Sequence, residues 1–424
     1  MKVSTRIVSL ARRMDWFLVF IVVTAVTARF FAVLDWNSYS PDSLAALHGD
    51  EPGYANTARE LLLGHGFTWL GRVPGYPAVL AIMLWVANQS FHAVRILQCL
   101  FGIPVVLLTF QVARRLVGLR AARISAVMAA FTLPLVRQPV SIMSEVVFTP
   151  VLLLVGLTAV RAFERPTLGR FAWLGFTIGL SILFRPTLIL FPAAVACAIF
   201  FVTPWHWGLR YSTACLGLAL LPVLPWLIHN RVKHRATILA TSNAFLWQGS
   251  PEYYHLTHEQ GYTYQRIWGN MLYGNNLPDP SSVSGDRYWT HRAIVSIRSE
   301  PLTYIRFAFE KVFTYWVGDS SADWNNGAQF RYDSLVGFGY SPSMAIEVII
   351  ARAIPIVALF AIAASWPLRQ QLMPIYLLLG YTTLFHAATH AEARLSEPFL
   401  PFLFILVAGA VAKIGDSLAP VTGP

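Results

Sequence analysis

Two adjacent carboxylates, Asp50 and Glu51, follow the first long apolar run of the chain, within the short polar segment 48–54. Carboxylates are unfavourable in lipid and usually functional where they occur close to it. An adjacent acidic pair at a membrane face is a candidate general base, a candidate divalent-cation site, or both. The alternative is a solvated loop that is acidic without a chemical role. The choice between these interpretations depends on which helices and loops position the pair.

Composition identifies the class of protein that carries this pair. Of the 424 residues, 56% are hydrophobic and 12% are charged, whereas a soluble domain has roughly a quarter charged residues. Apolar runs recur from Trp16 to Val411, which predicts an all-α polytopic membrane protein. Cys99, Cys197 and Cys215 lie inside such runs, and we expect packed thiols there rather than a disulfide framework.

The net charge of +11 does not indicate a nucleic-acid partner, because many basic residues cluster at the ends of apolar runs. In such positions they set membrane topology. Arginines before the apolar run 16–34 predict a retained signal anchor with the N-terminus in the cytoplasm. A second arginine cluster at 114–123 should also be cytoplasmic, which requires an even number of crossings between the two clusters.

Whether the number of crossings is even depends on the apolar run 75–87. About 13 residues of helix span roughly 20 Å, which is less than the ~30 Å hydrocarbon core. We therefore interpret this run as an interfacial or re-entrant helix. It then belongs to a first outside loop, residues 35–92, which also carries the acidic pair.

Alternation along the rest of the chain predicts about ten transmembrane helices. They are expected near residues 16–34, 93–112, 121–136, 146–162, 171–184, 187–204, 211–228, 346–366, 371–388 and 397–414. Hydrophobicity falls between the seventh and eighth of these. The chain thus divides into an N-terminal transmembrane module, 1–229, a larger non-cytoplasmic domain, 230–342, and C-terminal transmembrane helices, 343–424.

This topology brings several polar clusters to one aqueous–lipid boundary. With the acidic pair they are Arg72, Glu145, Arg185, the run His229-Asn230-Arg231, and His386, His390, Glu392 and Arg394. Arginine binds phosphate bidentately, and a hydroxyl nucleophile needs a base. The set therefore suits a lipid phosphate whose head group lies at the boundary and whose tail lies in the bilayer.

Structural explanations stand beside these functional ones. Glu145 follows Ser144 and could cap the next helix, and Arg185 could simply extend from a helix end to the interface. His386 and His390 are one helical turn apart, which suits either a metal ion or, more simply, a polar contact between helices.

Several short motifs occur in a set order along the chain. They are Asp50-Glu51-x-x-Tyr54, residues 58–67, Pro74-Gly75-Tyr76-Pro77, Arg95 with Gln98, Ser144-Glu145, Arg185-Pro186, residues 225–231, residues 241–243 and residues 393–401. As an ordered set they resemble the GT-C glycosyltransferases. The resemblance is close to the protein-O-mannosyltransferase family and to bacterial relatives such as the lipid A aminoarabinose transferases.

The resemblance implies inverting transfer of a single sugar from a polyprenyl-phosphate donor to a lipid, glycan or protein acceptor. It implies a bacterial inner membrane protein whose active site faces the periplasm. The family's catalytic aspartate corresponds to Asp50, which would deprotonate an acceptor hydroxyl while the sugar–phosphate bond breaks on the opposite face. Glu51 would support Asp50 or help bind a divalent cation, which some members of the family use.

Further roles follow from the same resemblance. The donor phosphate is assigned to Arg72, Arg231 and Arg394, with Arg185 and His390 next in line. Other substrate contacts are assigned to Tyr54, Tyr76, Glu145, His229 and Asn230. Two positions depart from the family pattern, with His229 where arginine is frequent and Leu395 where an aromatic residue is usual.

Two other functions stay open. A lipid-linked sugar transporter or flippase would also carry charges in outside-facing cavities, but it should show paired broken helices in two repeated halves. No such symmetry is visible in the sequence. A polyprenyl-linked glycan polymerase or ligase uses related substrates, but it need not carry an acidic pair in its first outside loop.

Overall fold

The computed structural model describes residues 15–241, 244–262, 266, 267, 269, 277–318 and 342–418, and these contain helices and no strand. The main helices, numbered in chain order, are α1 (Trp16–Tyr39), α2 (Glu51–Leu62), α3 (Gly75–Val86), α4 (Phe91–Gln98), α5 (Gly102–Phe131), α6 (Leu133–Arg137), α7 (Glu145–Glu164), α8 (Leu168–Ile182), α9 (Phe191–Val202), α10 (Trp205–His234), α11 (Phe245–Gln248), α12 (Pro251–Tyr254), α13 (Val283–Ser299), α14 (Pro301–Trp316), α15 (Pro342–Ala364), α16 (Arg369–Ala388) and α17 (Leu400–Leu418). Residues 242 and 243 of the predicted motif 241–243 lie outside the described residues, as do residues 319–341 of the predicted outer domain.

Apolar helices of membrane-spanning length dominate the described chain. They are Trp16–Tyr39, Phe91–Phe131, Glu145–Glu164, Trp205–His234 and Ala393–Ile414. A sixth span results if the helices Ile349–Ala364 and Trp366–Ala388, which meet at 73°, are counted together. Shorter apolar helices occur at Gly75–Val86, Leu168–Ile182 and Pro186–Val202. The chain is therefore an integral, helical membrane protein, and the count of about ten crossings stays a prediction.

The stretch Phe91–Phe131 is not one straight rod. Gly118 has φ 89° and ψ 176°, a non-helical conformation that glycine adopts readily. The Arg29 guanidinium donates to the carbonyl oxygens of Ala129 and Ala130, at 3.2 and 3.1 Å, while the same side chain lies against Gly102. A straight helix would separate residues 102 and 130 by roughly 42 Å. The chain therefore folds back at Gly118, between the two predicted spans 93–112 and 121–136.

Charged groups gather at two opposite ends of this helical bundle. At one end Arg123 pairs with Asp15 at 3.2 Å, and Arg115 pairs with Glu164 at 3.0 Å. Glu164 is the last residue of α7 and Glu145 is its first. The 20 residues of α7 hold these ends roughly 30 Å apart. That these ends lie at the two faces of the membrane, and which face is cytoplasmic, stay predictions.

Packed helices hold the acidic pair in place. The rings of Tyr54 in α2 and Tyr76 in α3 meet edge to face at 5.0 Å, and both residues are buried. The backbone N–H of Gly75 donates to the carbonyl oxygen of Leu183 at 2.7 Å, which ties the start of α3 to the end of α8. The predicted outside loop is thus a small helical layer whose position is set by the bundle. The depth of α3 in the membrane stays a prediction.

The described residues between 244 and 318 form a second layer with its own aromatic core, centred on Trp247, Trp289 and Phe307. This layer docks onto the end of α16. The Tyr315 and Thr382 hydroxyls are 2.7 Å apart, and the buried ammonium group of Lys311 donates to the carbonyl oxygen of Thr389 at 3.0 Å. The contact brings the layer beside the late segment 390–395.

Candidate active site

Asp50 lies immediately before α2, between two guanidinium groups. Its Oδ1 accepts a hydrogen bond from Arg72 Nη2 at 2.7 Å, and its Oδ2 accepts one from Arg394 Nη2 at 3.1 Å. Burial alone would raise the pKa of Asp50, but Arg72 and Arg394 outweigh burial and hold that pKa below its usual value. The side chain keeps about one-third of its surface exposed, at 34%. Asp50 is therefore an accessible, ionised carboxylate at neutral pH.

Glu51 is used differently from its neighbour. Its side chain is buried, Oε2 accepts from the His48 backbone N–H at 2.9 Å, and Oε1 accepts from the Ile142 N–H at 2.7 Å. The bond to Ile142 fastens the first loop to the segment before α7, and the bond to His48 holds the carboxylate within the loop. Among the described residues, no group of three or more His, Cys, Asp or Glu side chains is placed to hold a metal ion. A divalent cation at the acidic pair stays a prediction.

Arg72 is held by aromatic rings as well as by Asp50. Its guanidinium lies 5.3 Å from the ring centroid of Trp69 and 5.6 Å from that of Tyr54. Its Nη1 also donates to the carbonyl oxygen of Gly71 at 2.8 Å. Stacking on rings limits the orientations that the planar fork can take. The sequence assigned Arg72 to phosphate, and the structure places it at the acidic side chain.

The late segment supplies the second cation through a chain of polar contacts. Arg394 Nε donates to Glu392 Oε2 at 2.6 Å, and His390 Nε2 lies 2.8 Å from Glu392 Oε1. Burial would raise the pKa of Glu392, but Arg394 and His390 hold it well below its usual value. Glu392 therefore orients Arg394, whose Nη2 donates to Asp50. The sequence placed Glu392 at this boundary without assigning it a role.

A second ion pair lies beside the first. Arg185 Nη1 is 3.1 Å from Glu145 Oε1, and both side chains are largely buried. Ser144 Oγ lies 3.3 Å from Glu145 Oε2, and the Tyr54 hydroxyl donates to Ser144 Oγ at 3.3 Å. Glu145 starts α7 and Arg185 follows the end of α8, so these two helices fix the pair. Glu145 thus serves as the partner of Arg185 as well as a first-turn acid.

These groups surround a cavity of about 140 Å³. Its charged and imidazole lining consists of Asp50, Arg72, Arg185, His386, His390, Glu392 and Arg394. Aromatic walls come from Tyr54, Phe184, Phe245 and Phe385. Three guanidinium groups against two carboxylates leave the wall positive, which favours an anion beside an accessible base.

His386 and His390 contact each other within one segment, and each also stacks on an aromatic ring of another helix. His386 Nδ1 is 2.8 Å from the carbonyl oxygen of His390, and the Tyr315 ring stacks on His386 at 4.5 Å. His390 stacks on Phe245 at 5.4 Å. Phe245 and the buried Lys311 were not found by sequence reasoning, because isolated residues in the outer region carry no motif.

Six residues predicted at the site do not line this cavity: Glu51 and Glu145, whose contacts are given above, and Tyr76, His229, Asn230 and Arg231. Tyr76 is fully buried, and its hydroxyl donates to Gln98 Oε1 at 2.8 Å. His229 stacks on Trp226 at 5.1 Å, and Asn230 Nδ2 donates to the carbonyl oxygen of Ile238 at 2.8 Å. Arg231 is exposed, with Nη1 3.3 Å from the carbonyl oxygen of Arg235. Because α10 continues to His234, residues 229–231 are helical and their side chains point in different directions around the helix.

The chain is similar to one family model and to several solved structures. Residues 72–229 match the family model described as dolichyl-phosphate-mannose-protein mannosyltransferase. The oligosaccharyltransferase of Archaeoglobus fulgidus in the apo form has a TM-score of 0.58 and 12% identity, covering 96% of this chain and 51% of that chain. The oligosaccharyltransferase AglB from Archaeoglobus fulgidus, in complex with an inhibitory peptide and a dolichol-phosphate, has a TM-score of 0.55 and 10% identity, covering 95% of this chain and 51% of that chain. ArnT from Cupriavidus metallidurans bound to undecaprenyl phosphate has a TM-score of 0.44 and 17% identity, covering 97% and 82%. Among curated proteins, none matches this chain in sequence.

The chain spans about half the length of the oligosaccharyltransferase that it resembles in fold. The family match and the shared fold confirm the predicted resemblance to GT-C glycosyltransferases. The matched stretch includes Arg72, Glu145 and Arg185 and excludes Asp50 and Arg394. The fold therefore joins the matched stretch to two residues that lie outside it.

Proposed function

We propose that this protein is an inverting GT-C glycosyltransferase that moves a single sugar from a polyprenyl-phosphate donor to an acceptor hydroxyl. The acceptor is a lipid, glycan or protein on the non-cytoplasmic face, in a bacterial inner membrane. The observation that carries the proposal is the accessible Asp50 carboxylate held between Arg72 and Arg394 at the wall of a positive cavity. The site combines a base with phosphate-binding cations at the end of a membrane bundle.

In the proposed reaction Asp50 takes the proton of the acceptor hydroxyl. The acceptor oxygen attacks the anomeric carbon, and the bond between that carbon and the phosphate oxygen breaks on the opposite face. The electron pair leaves with the polyprenyl phosphate, and the configuration at the anomeric carbon inverts. General-base assistance of this kind contributes roughly 10²–10⁴-fold in rate.

The leaving phosphate gains negative charge as the sugar departs, so positioned cations stabilise the transition state more than the ground state. Arg72, Arg394 and Arg185 line the cavity and suit this role, with His390 beside them. The structural relative in complex with a dolichol-phosphate supports a lipid-phosphate donor. Donor binding would also give Arg72 and Arg394 a second anion to contact, which loosens their hold on Asp50.

The test is transfer by the purified protein in liposomes, with a radiolabelled polyprenyl-phosphate sugar as donor and envelope lipids, glycans and proteins as acceptors. The proposal expects one labelled sugar on one acceptor class, with inverted configuration. Movement of label across the bilayer without a glycosylated product would favour a flippase. Transfer of a whole oligosaccharide from a lipid-linked donor would favour a polymerase or ligase.

A further inference from the structure

A second, larger cavity lies at the end of the bundle away from Asp50. Its volume is about 550 Å³, and its walls come from α5, α7, α8 and the turn between α7 and α8. It is lined by Arg115, Arg161, Glu164, Arg165, Arg170 and Trp173 among others. Four arginines and one glutamate leave this lining strongly positive. No step of the proposed sugar transfer uses it.

Two of the four arginines are used within the protein. Arg115 Nη1 pairs with Glu164 Oε2 at 3.0 Å, and Arg170 Nη1 donates to the backbone carbonyl oxygens of Arg161 and Arg165 at 2.9 and 3.2 Å. These bonds satisfy carbonyl groups at the end of α7 and stiffen the turn into α8. The guanidinium groups of Arg161 and Arg165 find no acidic or carbonyl partner in the described part of the chain, and both side chains are exposed.

Topology alone explains why arginines occur at this end, but it does not require them to converge on one concave site. Exposed arginines of the same predicted face, such as Arg114 and Arg210, stay outside the cavity. The rim also carries Trp173, which is 52% exposed and stacks on Phe176 at 5.2 Å. A cationic cavity beside an exposed aromatic surface, at the end of apolar helices, matches a molecule with an anionic head and an apolar body.

We propose that this cavity binds the phosphate of an anionic phospholipid of the predicted cytoplasmic leaflet. Arg161 and Arg165 contact the phosphate oxygens, and Trp173 packs along the start of the acyl chains. A free phosphate ion shares the anionic chemistry but has no acyl chain to pack against Trp173. The exposed tryptophan therefore favours the lipid. Because α7 begins at Glu145 and α8 leads to Arg185, the bound lipid braces the far ends of the two helices that fix the second ion pair.

The test uses the purified full chain in zwitterionic detergent, titrated with phosphatidylglycerol and followed by native mass spectrometry and thermal unfolding. One arginine near a membrane surface accounts for about a five-fold change in affinity, so Arg161→Ala with Arg165→Ala should weaken binding about 25-fold. The matched control is Arg114→Ala with Arg210→Ala, which removes the same charge outside the cavity. Equal losses in the two double variants would overturn the site.

Single variants guard against a double variant that does not fold. Arg161→Gln and Arg165→Gln should each bind phosphatidylglycerol about five-fold more weakly, and no loss in either would contradict the proposal. Inorganic phosphate in the same detergent distinguishes the ligand. Trp173→Ala should weaken the binding of phosphatidylglycerol and leave the binding of inorganic phosphate unchanged. Stabilisation by inorganic phosphate equal to that by phosphatidylglycerol would overturn the assignment to a lipid.

Discussion

Two regions of this molecule carry cations that the sequence assigned to the same donor phosphate. Only one of these regions places its cation at the central cavity. The acidic loop, residues 48–72, presents Asp50 and Arg72 to the central cavity. The exit segment, residues 229–231, turns Asn230 into the core and leaves Arg231 exposed. A motif places a residue near a boundary, whereas the rotation of its helix determines whether the side chain reaches the site.

The largest expected effect is at the acidic loop. Asp50→Asn removes the carboxylate that accepts the acceptor proton, and we expect transfer to fall by about 10²–10⁴-fold. Rates of purified, equally folded variants at saturating donor and acceptor measure it. Asp35→Asn is the matched control, because Asp35 is an exposed carboxylate outside the cavity. Near-normal turnover by the Asp50 variant would remove the base from the proposal.

The pH profile sharpens the same assignment. Because Arg72 and Arg394 hold the pKa of Asp50 below its usual value, the acid limb of the rate profile should lie below that of an ordinary aspartate. The stability that this pairing adds is present above the unfolded pKa and is lost as pH falls through the folded pKa. Arg72→Ala removes one cause of the shift, so its acid limb should move to higher pH. An unmoved limb would assign the titration to another group.

The direct comparison of the two regions is Arg394→Ala against Arg231→Ala. Arg394 lines the cavity and contacts Asp50, so its removal should lower the transfer rate by about 10²-fold, as for other transition-state donors. Arg231 is exposed and should change the rate less than about two-fold. Arg394→Lys should stay impaired, because it keeps the charge and loses the planar fork. Equal effects at both positions would break the comparison.

Glu392→Gln tests whether Arg394 needs its neighbour. The change weakens the contact to Arg394 Nε, and we expect about a ten-fold loss of rate through misplacement of the fork. A positioning role predicts that Glu392→Gln costs little more once Arg394 is already alanine. Full additivity of the two losses in a double-mutant cycle would give Glu392 an independent role.

The smallest expected effect on chemistry is at Glu51, where the change acts on stability. Glu51→Gln leaves one of the two backbone N–H groups of His48 and Ile142 without its acceptor, costing about 1–3 kcal/mol. Thermal unfolding measures it, with the partly exposed Glu60→Gln as control. If the midpoint stays unchanged while transfer is lost and added divalent cation no longer alters the rate, Glu51 is a metal ligand.

Much of the architecture was accessible from local pattern. The short apolar run 75–87 corresponds to α3, and the runs 146–162 and 171–184 correspond to α7 and α8. The fold-back at Gly118 was predicted only indirectly, through the charge rule that required a turn near residues 114–123. The outer layer was predicted by composition and length alone, and its contact through Lys311 was not predicted, because no local signal marks a long-range docking contact.

The sequence by itself determined the class of protein and the helical framework, and it predicted that the polar clusters gather at one boundary. The length of an apolar run indicates whether a helix can span the bilayer, and the distribution of arginines indicates its orientation. Both signals can be read from short stretches of the chain. Only the tertiary structure decided which polar groups meet. Asp50 reaches Arg394 across 344 positions of sequence, and Glu51 reaches Ile142 across 91. Each residue turns a helix by about 100°, so the phase of α10 separates Asn230 from Arg231 where their spacing in the sequence does not.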